Sequence, residues 1–162
     1  NKGYKTLLEY WSDNASHIKI KGYEFNEYYA YIESLESYVT SNLDLLNLKV
    51  REELFRKPYR PIYTSVNDSP ATTYGEDAVV ENSIIADGCI INGTVKNSVI
   101  FRGVKIDKDA NVSNSVVMQD SIIGVNATIS HIVTDKNVFI GDNRTLCGHD
   151  THPFFIEKGS II

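Results

Sequence analysis

Asn82-Ser83-Ile84-Ile85 recurs as Asn97-Ser98-Val99-Ile100 and as Asn114-Ser115-Val116-Val117, and a degenerate copy follows at Ser130-His131-Ile132-Val133. The four copies are 15, 17 and 16 residues apart. This period is too short for a helical repeat and is close to three turns of a hexapeptide motif. The repeat therefore predicts a parallel β-helix whose coils stack on one another.

Aliphatic clusters mark the flat sides of each predicted coil, and small or turn-forming residues mark the corners between them. One set of sides is Val79-Val80, Ile84-Ile85 and Ile90-Ile91. The predicted corners are Asp87-Gly88, Asn92-Gly93, Arg102-Gly103, Asp109-Ala110 and Gly124-Val125-Asn126. Three sides to a coil, with β-branched side chains pointing inward, predict a triangular prism of about five coils over residues 78–162.

The first part of the chain differs in composition from the repeat region, since all ten tyrosines lie at or before Tyr74. Residues 26–57 predict one or two amphipathic helices from apolar residues at helical spacing. These residues are Tyr28, Ile32, Leu35, Val39 and Leu43, followed by Leu45, Leu46 and Leu48.

Residues 58–77 contain three of the four prolines. They also contain Ser65, Asn67, Asp68 and Ser69. This composition predicts an extended linker. We therefore expect a mainly β protein with three parts: an α-helical segment at 1–57, a linker at 58–77 and a β-helix at 78–162.

Composition excludes several classes of protein. The chain has 162 residues, is 42% hydrophobic and carries a formal charge of −5 without a basic stripe, so nucleic-acid binding is not expected. No apolar run is long enough to cross a membrane, and the first residues lack the apolar stretch expected of a signal peptide. Cys89 and Cys147 have no disulfide-framework spacing, which is typical of a reducing compartment and predicts the cytoplasm. The absence of an initiator methionine and the coil-like ending Lys158-Gly159-Ser160-Ile161-Ile162 suggest part of a longer protein.

Three stretches of the chain resemble the ADP-glucose pyrophosphorylases, also called glucose-1-phosphate adenylyltransferases. They are the segment from Gly22-Tyr23 through Tyr38 and Asn42 to Asp44-Leu45-Leu46, the junction Pro61-Ile62-Tyr63-Thr64 with Ser69-Pro70-Ala71, and the first coil from Val80 to Gly88. The resemblance implies that residues 1–57 end a nucleotidyltransferase-like catalytic domain. It also implies a left-handed β-helix, although ordinary crossovers are right-handed.

Catalytic members of this family carry Trp-Arg-Asp-Val-Gly-Thr before the tyrosine-rich helix, and its Asp helps to hold Mg²⁺. Counting back from Asp44 puts Tyr31 at that Asp position and Glu33 at the Gly position. A neutral phenol is a poor ligand for a hard cation. The family's metal position could instead be filled by Asp13 or Glu27.

With Tyr31 at the metal position, the resemblance implies the non-catalytic D-type subunit of bacterial glycogen biosynthesis, paired with a catalytic paralogue in a hetero-oligomer. We assign no catalytic, cofactor-binding or metal-binding residue in this chain, which also contains no glycine-rich nucleotide loop. A catalytic nucleotidyltransferase of the same family is the alternative.

A hexapeptide-repeat acyltransferase is a further alternative, with His131 as the general base between trimer-related prisms. His131 has no accompanying partner motif, so we favour a residue that replaces the serine of the other copies at an outward or corner position. The run Cys147-Gly148-His149-Asp150-Thr151-His152 could supply zinc ligands, but it forms only one half-site, and a solvated loop is favoured.

Five cations could form an anion site for a phosphorylated effector, as the family resemblance implies. They are Arg102, Lys105, Lys108, Lys136 and Arg144. Charges at turns also keep sheet edges soluble, and we favour that interpretation. The cluster of Tyr28, Tyr29 and Tyr31 is expected to serve helix packing and subunit contact, because no basic residues lie among these tyrosines.

Overall fold

A computed structural model of the protein describes residues 3, 6–63 and 68–162. Thr64, Ser65 and Asn67 of the predicted junction and linker lie outside the described residues. The described part contains three helices: α1 at Leu7–Asn14, α2 at Leu35–Asp44 and α3 at Leu48–Phe55.

The strands in the described part are short and form three parallel sheets of five strands each. Sheet A contains β1 (Thr73–Tyr74), β4 (Ile90–Ile91), β7 (Lys105–Ile106), β10 (Ile122–Ile123) and β13 (Phe139–Ile140). Sheet B contains β2 (Val79–Glu81), β5 (Thr94–Lys96), β8 (Asn111–Ser113), β11 (Thr128–Ser130) and β14 (Thr145–Cys147). Sheet C contains β3 (Ile84–Ile85), β6 (Val99–Ile100), β9 (Val116–Val117), β12 (Ile132–Thr134) and β15 (Phe154–Ile156).

The chain visits sheets A, B and C in turn, so each coil contributes one strand to every side of a three-sided prism. The predicted parallel β-helix is confirmed. Its interior is filled by stacked aliphatic side chains from all three sheets, as the alternation of the strands predicted. The largest fully buried ones are Ile91, Val95, Ile100, Val104, Ile106, Val112, Val117, Ile123, Ile129, Ile132 and Ile140.

The asparagine of each Asn-Ser repeat forms the corner between sheets B and C. Asn82, Asn97 and Asn114 have φ of 42°, 46° and 46°, in the left-handed region that asparagine tolerates better than most residues. The predicted corners at Gly88, Gly103, Asp109 and Asn126 also have positive φ. Each repeat therefore consists of a corner asparagine followed by a strand of sheet C.

The fourth copy of the repeat is shifted by one residue from its predicted alignment. Val133 pairs with Val116, so His131 occupies the corner position of Asn114 and has φ of 54°. The prediction that His131 replaces the repeat serine is wrong, because Ile132 stands at that position. A corner position for His131 is correct.

The serine of the repeat is a buried link between coils. Ser98 and Ser115 are fully buried, and their hydroxyls donate to the carbonyls of Lys96 (2.7 Å) and Ser113 (2.6 Å). The same hydroxyls accept from the next coil, Ser98 from the Ser115 amide and Ser115 from the Ile132 amide, each at 3.1 Å. The hydroxyl thus satisfies a buried backbone donor at the turn.

The predicted helices agree with the structure only from Leu35 onward. α2 begins after Ser34, which forms a capping box with Ser37. Tyr28 and Ile32 precede this cap and lie outside the helix, so their assignment to a helical stripe is wrong. Helix α1 was not predicted; Thr6 caps it through the Glu9 amide at 3.2 Å.

Helix α2 packs against the outer face of sheet C. Val39 lies in one cluster with Val116 and Val133, whose side chains point away from the prism interior. The partly buried residues around this cluster are Leu35, Tyr38, Leu43 and Phe101. This second apolar cluster attaches the helical segment to the β-helix.

The later part of the predicted linker runs along the first coil. Strand β1 pairs with β4, and the Thr72 hydroxyl donates to the Ala86 carbonyl at 2.7 Å. The Gly88 amide donates to the Pro70 carbonyl at 2.7 Å. Residues 73–74 of the predicted linker form β1, whose backbone completes sheet A. The functional boundaries of the three parts stay predictions.

Candidate functional site

The corner between sheets B and C carries an excursion of the chain beside His131. Strand pairing sets Val133 22 residues before Phe155, whereas it sets Val116 only 17 residues before Val133. The extra residues follow Gly148, whose amide donates to the Ser130 carbonyl at 2.8 Å. The chain returns at Phe154, whose amide donates to the His131 carbonyl at 3.0 Å. We call residues 149–153 the corner loop.

His131 fastens the corner loop through Asp150. Its Nε2 lies 2.5 Å from Asp150 Oδ1, and its Nδ1 lies 2.9 Å from Ser130 Oγ. The Ser113 hydroxyl donates in turn to Ser130 Oγ at 3.1 Å. With Nε2 protonated toward Asp150, Nδ1 accepts from Ser130, so both ring nitrogens are engaged inside the chain. A role as general base would require one of these contacts to break.

A cavity of about 310 Å³ separates the corner loop from α2. It is lined by Val39, Thr40, Leu43, Asp44, Asn114, His131, His149, Asp150 and Pro153. Both carboxylates in this lining already have partners, because Asp44 accepts from the Tyr28 hydroxyl at 2.9 Å and Asp150 pairs with His131. The cavity therefore belongs to the attachment of α2 and the corner loop.

The residues considered as zinc ligands do not converge. Thr151 Oγ1 lies 3.1 Å from His149 Nδ1 and 2.8 Å from His152 Nδ1, and Asp150 faces His131. Within residues 3, 6–63 and 68–162, no three His, Cys, Asp or Glu side chains are arranged to hold a metal ion. Cys147 is exposed at the end of β14 rather than in the loop.

The five cations considered as one anion site separate into several places. Lys105 pairs with Asp107 at 2.9 Å on sheet A. Lys108 lines a cleft with Glu76, Asp77 and Asp107 at the corner between sheets A and B. The structure brings only Arg102 and Lys136 of the five into one described cleft.

The cleft containing Arg102 and Lys136 has a volume of about 460 Å³ and lies at the corner between sheets C and A. Its lining is Ser69, Pro70, Gly88, Arg102, Gly103, Gln119, Asp120 and Lys136. Backbone hydrogen bonds place Arg102, Gln119 and Lys136 at equivalent positions of successive coils, since Asp120 N donates to Arg102 O and Asn137 N to Gln119 O. We call this the corner cleft.

The residues near the family's metal position lie in the segment before α2. The Tyr31 side chain is exposed (64%). Glu27 is bound by Lys57 at 3.3 Å, by the Tyr59 hydroxyl at 3.1 Å and by Arg60. Desolvation raises the pKa of Glu27, but the hydrogen bonds and charges of these partners outweigh it and hold the pKa below 4.5. Glu27 is thus an ion-pair partner in this structure, and Asp13 lies in α1.

Within the cluster Tyr28, Tyr29 and Tyr31, Tyr28 lies outside the helices but contacts two of them. Tyr29 and Tyr31 are exposed, whereas Tyr28 bridges two helices through its hydroxyl to Asp44 of α2 and its amide to Glu53 of α3 at 2.7 Å. Burial, together with the hydrogen bond and charge of Asp44, raises the pKa of Tyr28. Subunit contact through this segment stays a prediction.

Sequence reasoning favoured a solvated loop over Cys147–His152 but missed that this loop is an insertion whose Asp150 contacts His131. The signal was present in the interval between aliphatic pairs, because Val133 and Phe155 are five residues further apart than the preceding coil allows. This longer interval indicates an insertion, and Asp150 lies within it.

Three parallel sheets closed by left-handed-φ corners define the class of hexapeptide-repeat β-helix proteins. A family described as "GlmU-like, C-terminal hexapeptide" matches residues 69–155, which is more than half of the chain, and the chain belongs to that family.

Curated relatives also match the part of the chain before the β-helix. A protein named "Glycogen biosynthesis protein GlgD" from Geobacillus stearothermophilus is 62% identical over 121 residues, 75% of this chain and 35% of that protein. A GlgD protein from Bacillus subtilis (strain 168) is 40% identical over 107 residues, 66% of this chain and 31% of that protein. A glucose-1-phosphate adenylyltransferase from Clostridium botulinum (strain Eklund 17B / Type B) is 40% identical over 91 residues, 56% of this chain and 23% of that enzyme.

These relatives confirm the resemblance to the ADP-glucose pyrophosphorylase family. The chain spans about a third of the length of the two GlgD proteins. Among the residues that the structure describes, no helix has the length and apolar character of a membrane span.

Proposed function

We propose that this chain is the β-helix part of a regulatory subunit in glycogen biosynthesis, which assembles with a catalytic glucose-1-phosphate adenylyltransferase in the cytoplasm. In this proposal the catalytic partner makes ADP-glucose from ATP and glucose 1-phosphate. The β-helix supplies assembly and regulation.

The observation that carries the proposal is the 62% identity to a GlgD protein over 75% of the chain. The adenylyltransferase from Clostridium botulinum is 40% identical over 56% of the chain. The chain is thus more similar to this GlgD protein than to that enzyme, and the family resemblance implies that D-type subunits are non-catalytic.

The segment before α2 supports the loss of catalysis. Tyr31 presents an exposed phenol where the resemblance expects a carboxylate ligand for Mg²⁺, and a neutral phenol does not replace a carboxylate at a hard cation. Glu27, the alternative carboxylate, is neutralised by Lys57 and Arg60. Neither residue offers a free carboxylate for a metal in this structure.

The attachment of α2 supports a role in transmitting structural change. Val39 joins the helical segment to Val116 and Val133 of two successive coils, so displacement of α2 would expose both valines to water. In this proposal, contacts made at the β-helix reach the catalytic partner through this connection.

The test is ADP-glucose formation by the full-length protein that contains this chain, assayed alone and after co-expression with a catalytic relative. We expect activity that is absent or low alone and that is changed by at least severalfold when the two chains co-purify. Robust activity of the protein alone would instead establish a catalytic nucleotidyltransferase of the same family. Failure to co-purify, with the relative's activity unchanged, would overturn the regulatory proposal.

A further inference from the structure

The outer faces of the three sheets differ in polarity and in cover. On sheet C the outward column is apolar, and α2 covers it through Val39. On sheet A the outward column is also largely apolar, but Ile90 and Phe139 are exposed there (44% and 41%). Within the residues that the structure describes, sheet A therefore presents its apolar side chains to water. On sheet B one outward column is mainly polar, with Thr94, Asn111, Thr128 and Thr145 in register.

The outward side chains of sheet A stack into one column, which we call the sheet A stripe. It consists of Ile90, Lys105, Ile122, Phe139 and Ile161, which pair in register from one coil to the next. The Lys105 ammonium lies 2.9 Å from Asp107 Oδ1, so its charge is held by that carboxylate and its aliphatic stem stays in the column. The stripe is about 20 Å tall at the usual strand spacing. An exposed apolar stripe with polar borders is typical of an interaction surface.

The two edges of this face carry opposite charges. Arg102 and Lys136 lie along the edge where the chain passes from sheet C to sheet A. Asp109 and Asp142 lie along the edge where it passes from sheet A to sheet B. In the described part of the chain, none of these four side chains takes part in an ion pair. Cations therefore border one side of the stripe, carboxylates border the other, and the fold leaves these charges unpaired.

A second copy of the chain complements this face when a two-fold axis runs parallel to the prism axis. Such an axis sets the two sheets A face to face with antiparallel strands. Each strand of sheet A, with the corners on either side of it, then meets the same strand and corners of the other copy. The edge that carries the cations meets the edge that carries the carboxylates.

The charges agree at the level of single strands. Arg102 precedes β7 and Asp109 follows it, so these residues of opposite copies lie on facing edges. Lys136 precedes β13 and Asp142 follows it, which gives a second facing pair of opposite charges two coils away. Lys108 adds a positive charge beside Asp109, but Asp107 on the same edge offsets it. Both pairs occur twice, because the axis relates the two copies symmetrically.

The alternative two-fold axis, which runs along the strands, places like charges together. With that axis at β10, Arg102 of one copy faces Lys136 of the other, and Asp109 faces Asp142. Both edges would then be repulsive. The distribution of charge thus favours two parallel prisms over two antiparallel ones.

We propose that the outer face of sheet A joins two copies of this protein side by side, with their prism axes parallel. The sheet A stripe forms the centre of the contact, and the two charged edges form its rim. A contact about 20 Å tall is small for a specific interface, so we expect a dissociation constant in the micromolar range. This pairing does not depend on the regulatory role proposed above.

Sedimentation of the full-length protein that contains this chain, over a micromolar concentration series, tests the contact. Ile122→Lys at the centre of the stripe should weaken dimer formation at least tenfold. Val79→Lys is the matched control, because Val79 is an exposed aliphatic residue on sheet B, and it should change dimer formation less than twofold. A monomer at all concentrations, a trimer, or a dimer that Ile122→Lys leaves intact would overturn the proposal.

Charge reversal tests the direction of the axis. Lys136→Glu and Asp142→Lys should each weaken self-association at least fivefold, because each sets like charges against one another across the axis. An equimolar mixture of the two variants should restore association, since every facing pair is then of opposite charge. Such a rescue between chains cannot arise from a change within one chain. Absence of rescue would contradict the contact, and stronger association of Lys136→Glu would show the antiparallel arrangement, in which Lys136 faces Arg102.

Asp142 also accepts a hydrogen bond from the Val125 amide at 2.8 Å, so its replacement removes a contact within the chain. If Asp142→Lys does not melt cooperatively, Arg102→Glu and Asp109→Lys provide the same test at β7. They should again associate better as a mixture than alone, and equal association alone and mixed would contradict the proposal.

Other occupants of sheet A give different results. If another part of the same protein covers this face, the protein is a monomer and Ile122→Lys lowers its melting temperature. If a catalytic relative covers it, Ile122→Lys prevents co-purification with that relative and leaves self-association unchanged. Either result would overturn self-pairing. Loss of self-association with an unchanged effect on a catalytic relative would support the pairing and leave the regulatory proposal standing.

Discussion

Val39 of α2 and Val116 of β9 are buried in one cluster across the boundary between the helical segment and the β-helix. Val39 is 7% exposed and Val116 is fully buried, although Val116 points out of the prism. A valine on an outer sheet face would ordinarily contact water. The helix therefore covers a part of sheet C that would otherwise be an exposed apolar patch.

Truncating Val39 tests this attachment. Val39→Ala should lower the free energy of unfolding by about 1–2 kcal/mol, since it removes two buried methyl groups and leaves a gap over Val116. Urea unfolding followed by circular dichroism measures this change, and Thr40→Ala, at the next position of α2, where the side chain is exposed, is the control. If the two variants are equally stable, α2 does not rest on sheet C.

The left-handed corner at His131 predicts a difference between two substitutions. His131→Ala should destabilise the protein by about 1 kcal/mol more than His131→Asn, because alanine is disfavoured at φ of 54° and asparagine occupies the equivalent corner at Asn114. Both variants lose the pairing with Asp150, so their comparison isolates the backbone. Equal stability of the two variants in urea would show that the corner imposes no such preference.

The two cysteines should react at different rates. Cys89 is 1% exposed and burial raises the pKa of its thiol, so little reactive thiolate forms there, whereas Cys147 is exposed. Titration with Ellman's reagent near neutral pH should modify one thiol rapidly in the folded protein and both in guanidinium. Cys147→Ser should abolish the rapid reaction. Rapid modification of two thiols in the native state would contradict the buried position of Cys89.

The ion pair of Glu27 and Lys57 should stabilise the helical segment over a defined pH window. The pKa of Glu27 is lowered, so its contribution is present above its ordinary pKa of 4.5 and is lost as the pH falls through the lower folded value. The pKa of Lys57 is raised, mainly by its hydrogen bond to Glu27, so its contribution is full below 10.5 and is lost as the pH rises through the higher folded value. Carboxyl chemical shifts followed by NMR should give a Glu27 midpoint below 4.5, and Lys57→Gln should move that midpoint upward. A midpoint that Lys57→Gln leaves unchanged would exclude the pair.

The β-helix could be predicted from the sequence because the same local pattern recurs in successive coils. An asparagine that tolerates positive φ and a serine that links coils recur beside each aliphatic pair, so local chemistry and coil period agree. The sequence also indicated that sheet C is covered on its outer face. Val116 and Val117 are both apolar, and a strand with two apolar faces is usually buried on both faces. The sequence does not say which element provides that cover.

The corner cleft could not be assembled from sequence in the same way. Arg102 and Lys136 line the same cleft because they occupy equivalent positions two coils apart. Coil length varies along the chain, however, from 15 residues between Ile84 and Val99 to 17 between Val99 and Val116. An error of one residue in either coil would turn a side chain to another face. The start of α2 was also placed too early. The spacing of Tyr28 and Ile32 fits a helix, but Ser34 caps the N-terminus of α2, so the helix begins only after these two residues.

The corner loop leaves and rejoins the β-helix on a single rung, at Ser130 and His131. Its residues add nothing to the prism interior, so the stacking of the coils does not depend on the length of this loop. Insertions and deletions in this loop should therefore have little effect on the packing of the interior. Related chains can differ here in surface residues while the coils on either side stay in register. The same property makes the corner loop a suitable position for inserting a reporter peptide.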